Sequence, residues 1–156
     1  MSFARWRLII ALAAFVGWLS WLGYAVAYNF WRKPDIVSRA QLTEADVLVV
    51  AAVTTDDEGK PKSLAQVVTR LSQDGPVAGD EIAVDNLPSA QPPGKAFPGP
   101  GEYLIALNPV GADRKSFRIA GLPRSPGYPP TQFVRPVVYP WTTDVQKQLR
   151  SLGYSW

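Results

Sequence analysis

The hydrophobic pattern divides this chain into one long apolar block and a series of short alternating ones. From Leu8 to Phe30 the sequence LIIALAAFVGWLSWLGYAVAYNF holds 23 residues without a charge. As a helix this stretch reaches about 34 Å, enough to cross a hydrocarbon core of about 30 Å. Beyond it the period shortens. Residues 35–45 (DIVSRAQLTEA) fit a short helix with Ile36, Val37 and Ala40 on one side. Asp46 to Thr54 (DVLVVAAVT) is a continuous β-branched run, the pattern of a buried central strand.

After the polar turn TDDEGKPK, residues 63–71 alternate, with Ala65, Val67 and Leu71 on the inner face and Leu64 and Val68 among polar neighbours. Gln73-Asp74-Gly75-Pro76 ends that strand. Glu81 to Leu87 alternates again, Ile82 and Val84 opposite Glu81 and Asp85. Glu102–Leu107 and Ser116–Ala120 are two further strands, divided by a turn at Asn108-Pro109-Val110-Gly111. Pro88–Gly101 is too rich in Pro and Gly for regular structure, and a loop of that length is either functional or disordered. Pro123–Pro130 forms a second proline cluster, expected to cross the barrel surface in extended form. Phe133–Tyr139 reads as a last strand, held to an edge by Pro136. A closing helix is capped by Thr142 or Thr143, buries Val145, Leu149 and Leu152, and stops at Gly153. The expected fold is mostly β: a small antiparallel barrel or sandwich, with an N-terminal transmembrane helix and a short C-terminal helix. The division is residues 1–33 as anchor with basic flanks and 34–156 as a single domain.

The pieces resemble the netrin-like (TIMP-like) form of the OB-fold barrel over roughly residues 36–120. Ala45–Val53 matches an ADxVxxxxV strand, Gly79–Val84 a G-D-x-I-x-V strand, and Pro100–Leu104 a P-G-E-x-Y-L-like strand. The cysteines common in that family are absent, and with them any cysteine-dependent inhibitory edge. The long proline loop and the C-terminal helix fall outside the pattern, so the resemblance implies a barrel and transfers no functional residue. The whole chain looks like membrane-anchored bacterial proteins of unknown function.

Charge sharpens the membrane reading. Of the net +3, Arg5, Arg7, Arg32 and Lys33 beside the apolar run contribute four positive charges. From Pro34 onward twelve Lys or Arg face thirteen acids. The basicity therefore belongs to the flanks, at headgroup level. No basic stripe remains for phosphates, and nucleic acid is not an expected partner. Aromatic residues stand where an interfacial belt would, Trp6 at one end and Tyr28, Phe30 and Trp31 at the other.

Two readings fit residues 1–30. Ala25-Val26-Ala27 has the small-x-small form of a signal-peptidase site. The uncharged run continues past that point, and its length favours a retained single-span anchor. Arg5 and Arg7 before the run nearly balance Arg32, Lys33 and Arg39 after it, so charge alone does not orient the span. A short basic tail before an apolar segment looks like an export signal, which puts the domain outside the cytoplasm. Ala13/Gly17 and Gly23/Ala27 are small residues four apart, a spacing that permits close helix pairing but is also ordinary membrane composition.

The chain has no His and no Cys. The usual proton shuttle, His-dependent triads and thiolate metal sites are thereby removed. No G-x-S-x-G, S-x-x-K, G-x-x-x-x-G-K-[ST] or G-x-G-x-x-G motif occurs. Asp56-Asp57-Glu58-Gly59 lacks the alternating spacing of a calcium loop and reads as a solvated turn. Asp85 and Glu102 bracket the proline loop and are the one carboxylate pair to inspect for glycoside cleavage. We therefore expect no catalytic residue, metal or cofactor. The candidate binding surface is the late aromatic set Tyr128, Phe133, Tyr139, Trp141 and Trp156, with Tyr154 beside it; covering the barrel end as core is the other reading of Phe133, Tyr139 and Trp141. The expected role is a binding or assembly module in the cell membrane, its partners the lipid bilayer and another membrane or envelope protein. An envelope hydrolase using carboxylates alone and a carbohydrate-binding module are the rival readings.

Overall fold

The computed structural model describes residues 3–31, 35–111, 116–121 and 135–156. The chain forms two compact units, Met1–Pro34 and Asp35–Trp156. The first contains α1 (Phe3–Trp31). Its segment Ile9–Tyr28, 20 residues of mean hydropathy 1.9 with none of the window buried, is long and apolar enough to cross a membrane. Phe15, Trp18 and Trp21 are all more than half exposed. A helix apolar on every side needs an apolar surrounding.

The second unit is mostly β. Strands β1 (Val47–Thr55), β2 (Pro61–Arg70), β3 (Glu81–Val84), β4 (Gly101–Val110) and β5 (Ser116–Ile119) follow the order β1-β2-β3-β5-β4. Pairing of β4 back onto β1, from Val47↔Leu107 to Val53↔Gly101, closes this sheet into a five-stranded barrel. Every barrel ladder is antiparallel except β3–β5, where Ala83↔Ser116 and Val84↔Phe117 run parallel. A short β6 (Tyr139–Pro140) adds to β4 at Tyr103 and Leu104.

Strand parity sorts the core into two clusters. Val47, Val49, Ala51 and Val53 of β1 point into the barrel, meeting Tyr103, Ile105 and Leu107 of β4 and Ala65, Val67, Ile82, Val84, Phe117 and Ile119 of the other strands. The opposite faces of β1 and β4 give Leu48, Leu104 and Ala106 to a second cluster. That cluster is completed by Leu42 of α2 (Arg39–Glu44), Tyr139 of β6, and Val145 and Leu149 of α3 (Thr143–Ser151). The unbroken β-branched run of β1 thus follows from burial on both faces. Leu87, in a 3₁₀ turn at Leu87–Ser89, is fully buried and joins Ala90 in the barrel interior.

Four expectations change. The first helix after α1 spans only Arg39–Glu44, because the Ser38 hydroxyl accepts the Gln41 N–H and caps it there. Ile36 lies in the extended stretch before it and is 72 % exposed, and Ala40 is also exposed. The expected turn at Asn108–Val110 is strand: Asn108, Pro109 and Val110 pair with Arg118, Phe117 and Ser116. Ala120 N–H donates to Ala106 O, so even-numbered residues of β4 turn their polar groups toward β5 and Pro109 turns its nitrogen the other way. There β1 has already ended at Val47, so no ladder bond is lost. Among the described residues, the expected last strand is seen as Tyr139–Pro140 and a single bridge, Gln91↔Val137. Residues 122–134, including the whole of the second proline cluster, lie outside the described residues. Finally, the sheet closes as a barrel with one parallel ladder, whereas the strand pattern pointed to antiparallel pairing throughout.

Hydrogen bonds tie the start of the barrel unit into its core. Gln41 is fully buried. Its amide donates to Ala120 O at 2.9 Å and Val137 O at 3.0 Å, and its Oε1 accepts the Tyr139 hydroxyl at 2.8 Å. Tyr139 Oη also accepts the Ser38 N–H at 3.1 Å. Gln148 of α3 donates to Asp35 O at 2.8 Å and accepts from Val37 N at 3.0 Å, as a neighbouring strand would. Asp35 is also paired with Lys95 at 2.7 Å.

Burial raises the Tyr139 pKa above the ordinary 10.0, against a smaller lowering by the Ser38 N–H. A raised folded-state value favours the neutral phenol, so this contribution to stability is complete below pH 10.0 and is lost as pH climbs through the folded value. Denaturation followed between neutral pH and the alkaline limb should show that loss, and Tyr139→Phe should flatten it.

Candidate binding surfaces

Of the expected aromatic surface, the structure describes Tyr139, Trp141 and Trp156. Tyr128 and Phe133 fall outside the described residues. Tyr139 is 2 % exposed, and its hydroxyl is engaged by Gln41 and Ser38. It serves the core and offers nothing to a partner. Trp141 is half-buried and packs against the second cluster. Trp156 stands edge-on to Trp141, ring centroids 5.2 Å apart at 66°. The Arg150 guanidinium lies 5.0 Å from the Trp156 ring centre, a cation–π geometry. These two tryptophans are the part of the predicted set that the fold brings together, on the side of the unit that carries α3.

The acidic candidates are turn and surface residues. Asp56 Oδ1 accepts the Glu58 and Lys60 N–H groups, and Glu58 pairs with Lys60 at 2.6 Å, raising the lysine pKa. These bonds shape the β1–β2 turn. Among the described residues no cluster of three or more His, Cys, Asp or Glu side chains is placed to hold a metal. Asp85 and Glu102 are exposed, Asp85 beside Phe117 on β5 and Glu102 opposite Ala52 on β1.

Two surfaces emerge that sequence reasoning did not single out. One is the outer face of β2. There Leu64 is 48 % exposed and Val68 38 %, flanking Gln66 on the side away from buried Ala65 and Val67. β2 pairs with β1 on one edge and, at Leu64–Gln66, with β3 on the other, and Val68 is the extra residue of a bulge between Val67↔Ala51 and Thr69↔Val50. The signal was visible in the sequence as two aliphatic residues on the polar side of an alternating strand. By contrast, Leu48, Leu104 and Ala106 on the outer faces of β1 and β4 pack against residues of α2, α3 and β6.

The other is a groove of about 720 Å³ at one end of the barrel. Asp46, Asp74, Asp80 and Glu81 line it, with Val47, Ile82 and Phe117 beneath. Asp80 is partly committed, accepting the Val77 N–H at 2.8 Å. Gly75 shapes this end: its φ is +119°, and a Cβ there would stand 2.7 Å from Val47 Cγ1. The four acids come from three segments, Asp46, Asp74 and the adjacent pair Asp80 and Glu81, so no single local motif announced them. Neither Asp85 nor Glu102 lines the groove.

Comparison with family models, curated proteins and solved structures returned no match.

Proposed function

We propose that this protein is a single-pass membrane protein that displays an OB-like barrel outside the cytoplasm, where the barrel binds another membrane or envelope protein. The observation that carries the reading is the uneven covering of the barrel. Leu48 of β1 and Leu104 and Ala106 of β4 are covered from outside by residues of α2, α3 and β6, whereas Leu64 and Val68 on β2 are left open. Exposed aliphatic side chains on a strand paired with two neighbours suit an apolar side-chain contact from a partner. The OB-like assignment is supported by the strand order β1-β2-β3-β5-β4-β1 with its parallel β3–β5 ladder. The apolar stretch Ile9–Tyr28 supports the anchor, and the short basic tail before it supports export.

Photo-crosslinking amino acids at Leu64 and Val68, introduced in living cells, test the binding role. A discrete crosslinked species at these sites, absent from a probe at Asp57, is the expected result. Only uncrosslinked monomer at both sites would sink it, and crosslinks confined to Trp156 would move the interface to the aromatic end. The chain has no Cys, so Asp57→Cys gives a unique thiol. Modification by an impermeant maleimide on intact cells is expected for an external barrel.

A further inference from the structure

We propose that the face of the barrel unit carrying α3 rests on an anionic lipid surface. The inference deepens the membrane reading and rests on α1 spanning the bilayer. Covalent geometry supplies its first support. Three residues separate Trp31 from Asp35. A trans chain of that length extends no more than about 14 Å. Asp35 is therefore confined close to the headgroup layer, which adds about 5–7 Å on each side of the hydrocarbon.

The second support is that this stem is built into the domain. Gln148 of α3 grips Asp35 O and Val37 N, Ser38 N is held by Tyr139, and Lys95 pairs with the Asp35 carboxylate. Val37 is buried. The stem from Asp35 to Ser38 is therefore part of the folded barrel unit, with α3 directly beside it.

The third is surface chemistry. Between the two residues that Gln148 holds, Ile36 is 72 % exposed. In α3, Lys147 and Arg150 are exposed and outnumber its one acid, Asp144. Trp156, 43 % exposed, lies beneath the Arg150 guanidinium. An aliphatic residue, a tryptophan and cations with apolar stems are the side chains that settle at a headgroup boundary. Cations close to an anionic leaflet are held there by its surface potential.

Nitroxide labels on the full-length protein in nanodiscs test this. Ser155→Cys marks the α3 side and Asp57→Cys the β1–β2 turn; both residues are exposed. Collision with a water-soluble nickel chelate reads the exposure of each label. In discs containing phosphatidylglycerol, the Ser155 label should be shielded and the Asp57 label should not. Reversing both charges, Lys147→Glu with Arg150→Glu, should reduce the docked population by about tenfold or more and restore nickel access. A Ser155 label as accessible as the Asp57 label would overturn the docking. Shielding that survives charge reversal, or is equal in phosphatidylcholine alone, would overturn the anionic assignment. Alkaline carbonate extraction separates the two layers of the argument. Release of the wild-type chain overturns the spanning reading and the docking together, whereas retention with an accessible Ser155 label overturns the docking alone.

Discussion

Arginine at both Phe15 and Leu19 should move the full-length protein from the carbonate-resistant membrane pellet to the soluble fraction. Both positions lie near the middle of Ile9–Tyr28, and both side chains are about half exposed. An arginine at the centre of a spanning helix costs about 3 kcal/mol on the insertion scale, so the pair costs about 6 kcal/mol. At about 0.3–0.6 kcal/mol each, the remaining Ile9, Ile10, Leu12, Val16, Leu22 and Val26 together return about 2–4 kcal/mol, less than the pair costs. The barrel unit has its own core, and near-ultraviolet dichroism of its aromatic residues should persist in the released protein. A wild-type chain already released by carbonate, with a mature terminus at Tyr28, would show that Ala25-Val26-Ala27 is cut. The anchor reading would then fail.

Gln41→Ala should destabilise the barrel unit by about 3 kcal/mol or more. Truncation removes both donors to Ala120 O and Val137 O and the acceptor for the Tyr139 hydroxyl. These groups lie in a fully buried setting, where an unpaired polar group costs about 1–3 kcal/mol. The loss should lower the melting temperature by about 10 °C in a unit of this size. Thr43→Ala, on the same helix but exposed, is the comparison and should change stability by no more than about 0.5 kcal/mol. Equal melting temperatures for the two variants would show that water replaces the amide and that the network is not holding α2, β6 and the segment after β5 together.

The elements legible in the sequence were those whose signal is local and repeated. Alternation found β2 and β3, with Ala65, Val67, Ile82 and Val84 inward. The unbroken run found β1 as a buried central strand. Thr142 caps α3 through the Val145 N–H, and Gly153 ends it at a φ of +91°. The three stretches resembling netrin-like barrels fall on β1, the turn into β3, and the start of β4. The misreadings arose where a local signal met a longer-range constraint. Asn108-Pro109-Val110-Gly111 has turn composition, yet β5 pairs with it and β1 stops in time to spare the proline. Pro88–Gly101 has no repeating pattern, yet Phe97 stacks on Tyr103 at 4.9 Å, and Gln91 bridges Val137.

Surfaces followed a different rule from elements. Trp141 and Trp156 could be nominated from composition, but only packing distinguished them from Tyr139, whose hydroxyl is consumed inside. The acidic groove draws on the starts of β1 and β3 and the turn between β2 and β3, which approach only when the barrel closes. Gln41 carried no sequence signal, since a glutamine in a short polar helix usually faces water.

By itself the sequence determined an apolar segment long enough for a bilayer, a β-rich remainder with its helices at the ends, and a chain without histidine or cysteine chemistry. Chain length and side-chain periodicity are local quantities, and they survive without knowledge of neighbours. Tertiary structure alone decided how β4 returns to β1, which outer faces are sealed, and that Gln148 grips the stem at Asp35 and Val37. Those outcomes depend on which distant backbone groups and side chains meet, and that is set only when the barrel closes.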